Sequence, residues 1–285
     1  MSRVVLALMW LVHWLPLRVI AWIGNTVGAA LYWLIPERRR VTRINLAKCF
    51  PDMPEERRER LARAAFRAFC RGFVDRAVLW WAPPARIKRM VRLEGLEHLD
   101  SAGARVVILA PHFAGIEAAG IRLSIDRDMS TLYQHQKDPV VDRRLLEGRT
   151  RFRSNIVSRQ QGLRKVLRWI NAGIPFYYLP DLDFGRKGTT FVPFFGVPAA
   201  TAVGLSYIAR TTGAAVVPCV ARMLPAGGYV ARFYPAWSDF PSGDEARDAR
   251  RMMAFIEERV LEMPEQYHWM HKRFKTRPEG EPRFY

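Results

Sequence analysis

Residues 4–35 read VVLALMWLVHWLPLRVIAWIGNTVGAALYWLI, a run of 32 positions with a single formal charge, Arg18, and one histidine, His13. A chain that opens this way must hide that surface, either in a bilayer or in a core. A membrane-crossing helix takes about 20 apolar residues. Pro16 cuts the run into halves that fall short of that length separately, and its ring predicts a kink there. Trp10, Trp14, Trp22 and Trp33 suit the border between lipid and water, where an aromatic body is buried and a polar edge stays wet. Arg18 can snorkel to the same border. The run lacks the small-residue cleavage site of a secretory signal, so residues 1–36 are expected to anchor the chain to a membrane, with a buried pair of core helices as the alternative.

The adjoining stretch is strongly basic. Residues 36–92 hold 16 cationic and 6 acidic side chains, more than half of the net +18 of the 285-residue chain. Glu37-Arg38-Arg39-Arg40 directly after the apolar run fits the positive-inside rule and places the remainder in the cytoplasm. Residues 37–92 are therefore expected to form basic, amphipathic, membrane-proximal helices. In the helix that begins near Pro54, Leu61, Ala65, Phe69, Phe73, Ala77 and Trp80 recur at three- and four-residue spacing with arginines between them. That pattern suits a helix lying on a membrane, and equally one packed on a domain. The charge points to a polyanionic partner. No RNA-recognition, zinc-finger or helix-turn-helix signature accompanies it, which argues against nucleic acid. Cys49, Cys70 and Cys219 form neither a CxxC nor a metal-ligand spacing, so no metal is expected.

From residue 104 short β-branched runs alternate with helical patterns. Strands are predicted over 104–111, 174–180, 214–223 and 229–235. Helices are predicted over 115–123, 139–152, 161–172, 201–211 and 246–263. The alternation argues for an α/β fold, a mostly parallel central sheet flanked by helices, over residues 93–285. The break from the basic helices falls near Pro83-Pro84.

The sharpest chemical signal is PHFAGIE, with His112 and Glu117 at a strand-to-helix junction. Five positions along a regular helix turn about 500°, so the two side chains meet only if His112 lies in the turn and Glu117 on the first turns of the helix. There a carboxylate can hold one imidazole nitrogen and leave the other to take a proton from a hydroxyl. The alternative is a satisfied structural histidine. No serine or cysteine nearby offers a nucleophile, so a substrate hydroxyl would attack directly.

PHFAGIE resembles the His-x4-Asp/Glu motif of glycerolipid acyltransferases. The chain as a whole resembles the late acyltransferases of lipid A biosynthesis in Gram-negative bacteria, the lauroyl and myristoyl transferases. The likeness rests on KDPVVDRRLLEGRTRFRSN (137–155), YLPDLDFGRKGTTFVPFFGVPAAT (178–201), VVPCVARM (216–223), PEQYHWMHKRFKTRPEG (264–280), NLAKCFPD (45–52) and the apolar amino terminus. The resemblance implies a glycerolipid-acyltransferase-like fold and an enzyme of the inner membrane with its site facing the cytoplasm. It implies acyl transfer from an acyl-carrier-protein thioester to a hydroxyl of an acyl chain on a lipid A precursor, without metal or organic cofactor. By motif position, His112 is the expected general base, Glu117 its orienting partner, and Arg149 and Asp181 the other functional positions. Arg149 would serve as oxyanion donor or as a clamp on a phosphate, and Asp181 would orient an arginine or bind a sugar hydroxyl. Arg151, Asp183, Arg186 and Lys187 are expected to bind substrate, with an exposed cation or a solvated turn as the alternative.

FVPFFG (191–196) would line an acyl channel or, the favoured reading, belong to the core. KRFKTRP (272–278) would meet the acidic carrier protein or lipid phosphates, or form a solvated tail, and Tyr267, Trp269 and His271 before it are expected to be packing residues. Relatives often carry Tyr-Arg-Pro where this chain has Tyr133-Gln134-His135, which removes one cation from the expected phosphate contacts. Two further functions stay open. The same chemistry could act on another acceptor, an ornithine lipid or lysophospholipid. Or the chain could be a non-catalytic basic protein that binds membranes or nucleic acid.

Overall fold

A computed structural model describes residues 2–158 and 162–285. The apolar run folds as two helices, α1 (Ser2–Val12) and α2 (Leu17–Leu34), with Pro16 at the break. Then come α3 (Pro36–Cys49), α4 (Glu55–Val74), α5 (Arg76–Trp81) and α6 (Pro84–Met90). The rest alternates: β1 (Val91–Glu94), α7 (Leu96–Asp100), β2 (Val106–Leu109), α8 (Ile116–Asp126), β3 (Met129–Tyr133), α9 (Pro139–Arg149), β4 (Ser154–Ser158), α10 (Leu163–Asn171), β5 (Phe176–Tyr178), β6 (Thr189–Phe194), β7 (Val197–Ala202), α11 (Gly204–Thr212), β8 (Ala215–Met223), β9 (Tyr229–Phe233) and α12 (Glu245–Glu262).

Seven strands form one sheet in the order β1-β9-β8-β2-β5-β3-β4. Every neighbouring pair is parallel except β8 with β9. This is the mostly parallel, helix-flanked α/β sheet expected from the sequence. All four residues of β2 are buried, as a central parallel strand covered on both faces requires.

The differences have local causes. The helix expected over 201–211 starts at Gly204 because Thr201 and Ala202 still pair in β7 with Thr190 and Thr189. The one expected over 139–152 stops at Arg149, and that over 161–172 runs from Leu163 to Asn171, position 161 lying outside the described residues. β1, β3, β4 and the β6–β7 hairpin carry too few consecutive apolar residues to stand out in a sequence. FVPFFG is the second half of β6 and its turn. Phe194 is fully buried, ringed by Phe195, Tyr267, Trp269 and Phe274, so the run belongs to the core. KRFKTRP is not a solvated tail: Arg273 donates to the Ala200 carbonyl at 2.7 Å and to Thr201 Oγ1 at 2.8 Å, and Arg277 donates to the Pro198 carbonyl at 2.5 Å. These bonds bind the segment along β7.

The amino-terminal helices share the core of the sheet. Tyr32, Leu46 and Phe66 join one hydrophobic cluster with Val107 and Phe176, and Met9 and Ile20 join another with Ile108 and Val217. Hydrophobic packing thus continues across residue 92. The α4 stripe ends where the helix does. Ala77 and Trp80 lie on α5, and Phe69 and Phe73 remain partly exposed. The buried face of α4 is Ala62, Ala65, Phe66 and Cys70. Glu55 and Glu56 in its first turn oppose the positive end of the helix dipole.

α2 lies antiparallel along α4 at close range, and glycine makes this possible. A Cβ on Gly24 would stand 2.5 Å from Arg71 Cα, and one on Gly28 would stand 2.5 Å from Arg67 Cα. Gly24→Val must therefore push the helices apart. Overpacking of this kind costs about 1–3 kcal/mol. The expected outcome is a thermal unfolding midpoint lowered by several degrees, measured in detergent or nanodiscs; an unchanged midpoint would show that the α2–α4 contact is not part of the folded unit.

Candidate functional site

β2 and β5 run side by side with Leu109 opposite Tyr178. The chain leaves both strands at the same edge of the sheet, where open α/β sheets place their ligands. Three residues beyond each partner stand His112 and Asp181. The Ala110 amide donates to the Tyr178 carbonyl at 2.9 Å and extends the pairing one step past the strands. His112 Nδ1 lies 2.6 Å from Asp181 Oδ1, and the His112 amide donates to Asp181 Oδ2 at 3.0 Å. Both carboxylate oxygens thus hold the same residue. Burial of Asp181 opposes its charge, but the imidazole and the two hydrogen bonds prevail and keep its carboxyl below the usual range. With Nδ1 committed to the carboxylate, the proton there leaves Nε2 as the acceptor.

This corrects the expected partnership. Glu117, on the first turn of α8, does not hold the imidazole. It receives Arg149 Nε at 2.9 and 3.2 Å on its two oxygens and Arg149 Nη2 at 2.5 Å. Arg76 Nη2 approaches the same carboxylate at 4.0 Å. Three helix ends meet here: the start of α5 with Arg76, the start of α8 with Glu117 and the end of α9 with Arg149. Glu117 and Arg149 each oppose the dipole of their own helix. Arg149 therefore spends its fork on Glu117, and Asp181 orients His112 rather than an arginine or a sugar.

The expected substrate-binding residues divide. Lys187 lines the main cavity. Arg151 turns to the Leu79 and Trp81 carbonyls at 3.5 and 3.3 Å and lies over the Phe152 ring, so it braces α5. Asp183 is buried. It accepts from the Thr276 amide and hydroxyl at 2.6 and 2.8 Å and from the Gly185 amide at 2.9 Å, while its own amide donates to His271 Nε2 at 3.2 Å. Arg186 donates to the Arg277 carbonyl at 2.9 Å. These two fasten the 181–186 loop to the carboxyl-terminal segment. Around the departure from the family pattern, Tyr133 and Gln134 line the cavity, and His135 pairs with Asp142 at 2.9 Å.

Sequence reasoning missed several neighbours of His112. The His268 amide donates to the His112 carbonyl at 3.0 Å, its ring stacks on Phe69, and burial lowers its pKa to about 3, so it stays neutral. The Tyr267 hydroxyl faces Asp181, and burial beside that carboxylate raises its pKa well above the ordinary value. Both belong to the 264–280 string, so the likeness of that string to a family was the available signal. Arg76 had none, being one arginine in a basic stretch.

His112 opens into a cavity of about 680 Å³. Val5, Leu6 and Met9 of α1 form one wall, and Trp80, Leu145 and Leu179 face them. A narrow apolar branch passes Gly120, Ile121, Met129 and Ile156, sharing Arg149, Tyr177 and Leu179 with the main space. A second cavity, of about 170 Å³, lies on the other side of His112, bounded by Phe69, Arg76, Gln266 and His268. Such a site offers a fixed base, room for long apolar chains and two approaches to one imidazole. Among the described residues no cluster of three or more histidine, cysteine or carboxylate side chains is arranged to hold a metal.

The Glu117 cluster has a consequence for stability. Burial pushes its carboxyl up, but Arg149 and Arg76 overcome that and lower its pKa from 4.5 to about 2. A carboxyl depressed by folding stabilises the native state above its unfolded pKa, and the gain disappears as pH falls through the folded value. A depression of this size is worth on the order of 3 kcal/mol. Glu117→Gln should therefore unfold at lower temperature at pH 7 and lose much of the wild type's extra acid sensitivity between about pH 4.5 and 2. Parallel unfolding profiles for the two proteins across that window would refute the assignment.

The sequence pattern of the bacterial lipid A biosynthesis acyltransferases matches residues 2–276. The lipid A biosynthesis palmitoleoyltransferase and lauroyltransferase of Escherichia coli K12 are each 31% identical to this chain over 98% of its length, covering 92% and 93% of theirs. The myristoyltransferase of the same organism is 31% identical over 85% of this chain and 77% of its own length. Among solved structures, the 1-acyl-sn-glycerophosphate acyltransferase of Thermotoga maritima aligns with a TM-score of 0.39 at 16% identity, over 84% of this chain and 97% of that one. The chain is an acyltransferase and belongs to the bacterial lipid A biosynthesis acyltransferase family.

Proposed function

We propose that this chain moves a fatty acyl group from an acyl-carrier-protein thioester to a hydroxyl of an acyl chain on a lipid A precursor, at the cytoplasmic face of the inner membrane. The observation that carries the reading is the His112–Asp181 pair opening onto a large apolar cavity. Nε2 of His112 takes the proton of the acceptor hydroxyl as its oxygen attacks the thioester carbonyl. The tetrahedral intermediate collapses with cleavage of the C–S bond, and the imidazolium returns the proton to the departing thiolate. Asp181 holds the ring in one tautomer and stabilises its transient charge. The products are an ester and a free thiol, and the residues need no cofactor for these steps. The narrow branch past Gly120 and Met129 suits a single acyl chain, each buried CH₂ of which contributes about 0.8 kcal/mol.

Membrane binding belongs to the same proposal. α2 is long and apolar enough to span by composition, yet 18 residues at about 1.5 Å each fall just short of a bilayer core of about 30 Å. One side of α2 packs on α4, and its other side turns Trp22, Val27 and Trp33 to the surroundings, continuing the exposed Leu8, Leu11 and Trp14. The arginines of α4 tie that pair to the cytoplasmic side, so α1 and α2 lie in the lipid–water border rather than across it. A charge placed in this surface, as in Leu8→Glu with Trp22→Glu, should shift the protein from vesicles to the soluble fraction in a flotation assay. Retention equal to wild type would refute the interfacial placement.

Activity tests the chemistry directly. His112→Ala should abolish transfer while vesicle binding persists. Asp181→Asn should lower kcat by about 10⁴-fold, the size of loss seen when an imidazole loses the carboxylate that fixes its tautomer. Turnover is read by mass spectrometry of a defined acceptor with an acyl-carrier-protein thioester. A lipid A of unchanged acyl count in cells lacking the gene would move the acceptor to another lipid, and normal turnover by His112→Ala would remove the base assignment.

A further inference from the structure

Arg76 has no part in the steps above, yet it stands where the two cavities meet. It bounds both, as do His112 and Phe73. Its charge is poorly matched. The carboxylate beside it, Glu117, is already held at both oxygens by Arg149, and Arg76 Nη2 remains at 4.0 Å, outside hydrogen-bond range. Its Nε is buried and meets no acceptor. The guanidinium lies over the Phe73 ring at 5.1 Å, which orients it but neutralises nothing. The other carboxylate nearby, Asp75, accepts from the Tyr229 hydroxyl at 2.5 Å and pairs with Arg71 at 4.0 Å. Two guanidinia thus share one carboxylate, and the spare donors belong to Arg76. Burial of an incompletely paired cation is costly, and here it pulls the Arg76 pKa down.

We propose that Arg76 is the phosphate-binding residue of this site and grips a phosphate carried by one of the two substrates. The planar guanidinium presents paired donors that match a phosphate, and an anion arriving there supplies the missing charge. Arg149, the residue expected from the sequence to fill this role, is consumed by Glu117. Gln134 stands where relatives often place an arginine, so Arg76 is left as a partly unpaired cation of the cavity wall. The proposal rests on the acyl-transfer reading, in which either substrate brings such a group: the phosphopantetheine arm of the carrier thioester or the phosphorylated sugar of the lipid acceptor.

The experiment compares wild type, Arg76→Gln and Arg76→Lys, measuring KM and kcat in two arms. In the first, acyl-phosphopantetheine and acyl-pantetheine serve as donors to one acceptor. In the second, a phosphorylated glucosamine-lipid acceptor and its dephosphorylated form are used with one donor. For wild type, removing the phosphate in one arm should raise KM by about 10- to 100-fold. Arg76→Gln should raise KM for that phosphorylated substrate by a similar factor and erase its advantage, with kcat within a few-fold, and Arg76→Lys should keep part of it. The arm that responds names the source of the phosphate. Discrimination equal to wild type in both arms overturns the proposal, as does a fall in kcat with both KM values unchanged, which would assign Arg76 to the transition state. If Arg76→Gln unfolds, Arg76→Lys carries the same comparison through its partial loss. Absence of wild-type turnover on every pair removes the acyl-transfer reading and this proposal together, whereas turnover with unaltered discrimination removes Arg76 alone.

Discussion

The register of β2 against β5 is the constraint on which this site depends. Leu109 faces Tyr178 across the ladder, and equal steps beyond them bring His112 and Asp181 together at the sheet edge. A shift of one residue would reverse the side-chain faces and part the pair. Register is held by burial on both sides. Val107 and Leu109 face one hydrophobic cluster and Val106 and Ile108 the other, so slippage would exchange two filled cores. The imidazole is thus placed by packing several residues away from it, and the carboxylate that steadies it needs no flexible loop to find its position.

A second layer fixes what surrounds that pair. Glu117 and Arg149 join the start of α8 to the end of α9, and Arg76 brings in α5. Gly148 lets α9 come close enough for this, since a Cβ there would stand 2.3 Å from Trp80 Cδ1. The ion cluster borders the apolar cavity instead of pairing with the base. Charge close to His112 is therefore divided between two jobs: Asp181 acts on the ring, and Glu117 secures helices. A carboxylate shared between these roles would lose the tautomer whenever the helices shifted.

Much of the architecture was legible from pattern. β2, β5, β8 and β9 carry dense β-branched or aromatic residues, and α8, α9 and α12 have clear apolar spacing, which was enough for their existence and for the parallel class. His112 was legible because proline and glycine bracket it at a strand end. Its partner was not, and the reason is physical: Glu117 is close in sequence, whereas Asp181 becomes close only through strand pairing over 69 intervening steps of chain. Local spacing cannot report such pairing, and the near carboxylate was the wrong one. Arg151, Asp183 and Arg186 show the same limit. Their polar groups look free in a sequence and are taken up by backbone carbonyls and by Thr276 once the carboxyl-terminal segment folds back.

The amino-terminal helix joins these themes. Along α1, Ser2, Val5, Leu6 and Met9 recur at helical spacing and line the cavity, while Val4, Leu8 and Leu11 occupy the opposite side and are exposed. One short helix is therefore both a wall of the reaction chamber and a greasy outer surface. Val5 belongs to both, being 43% exposed and part of the lining. An apolar chain arriving along that outer surface meets the cavity without crossing a polar rim on this side. The cost of desolvating its methylenes is offset throughout the passage. On this geometry the apolar run that opens the sequence is as much a part of the site as the histidine more than a hundred residues later, since without α1 the cavity would have no wall on that side.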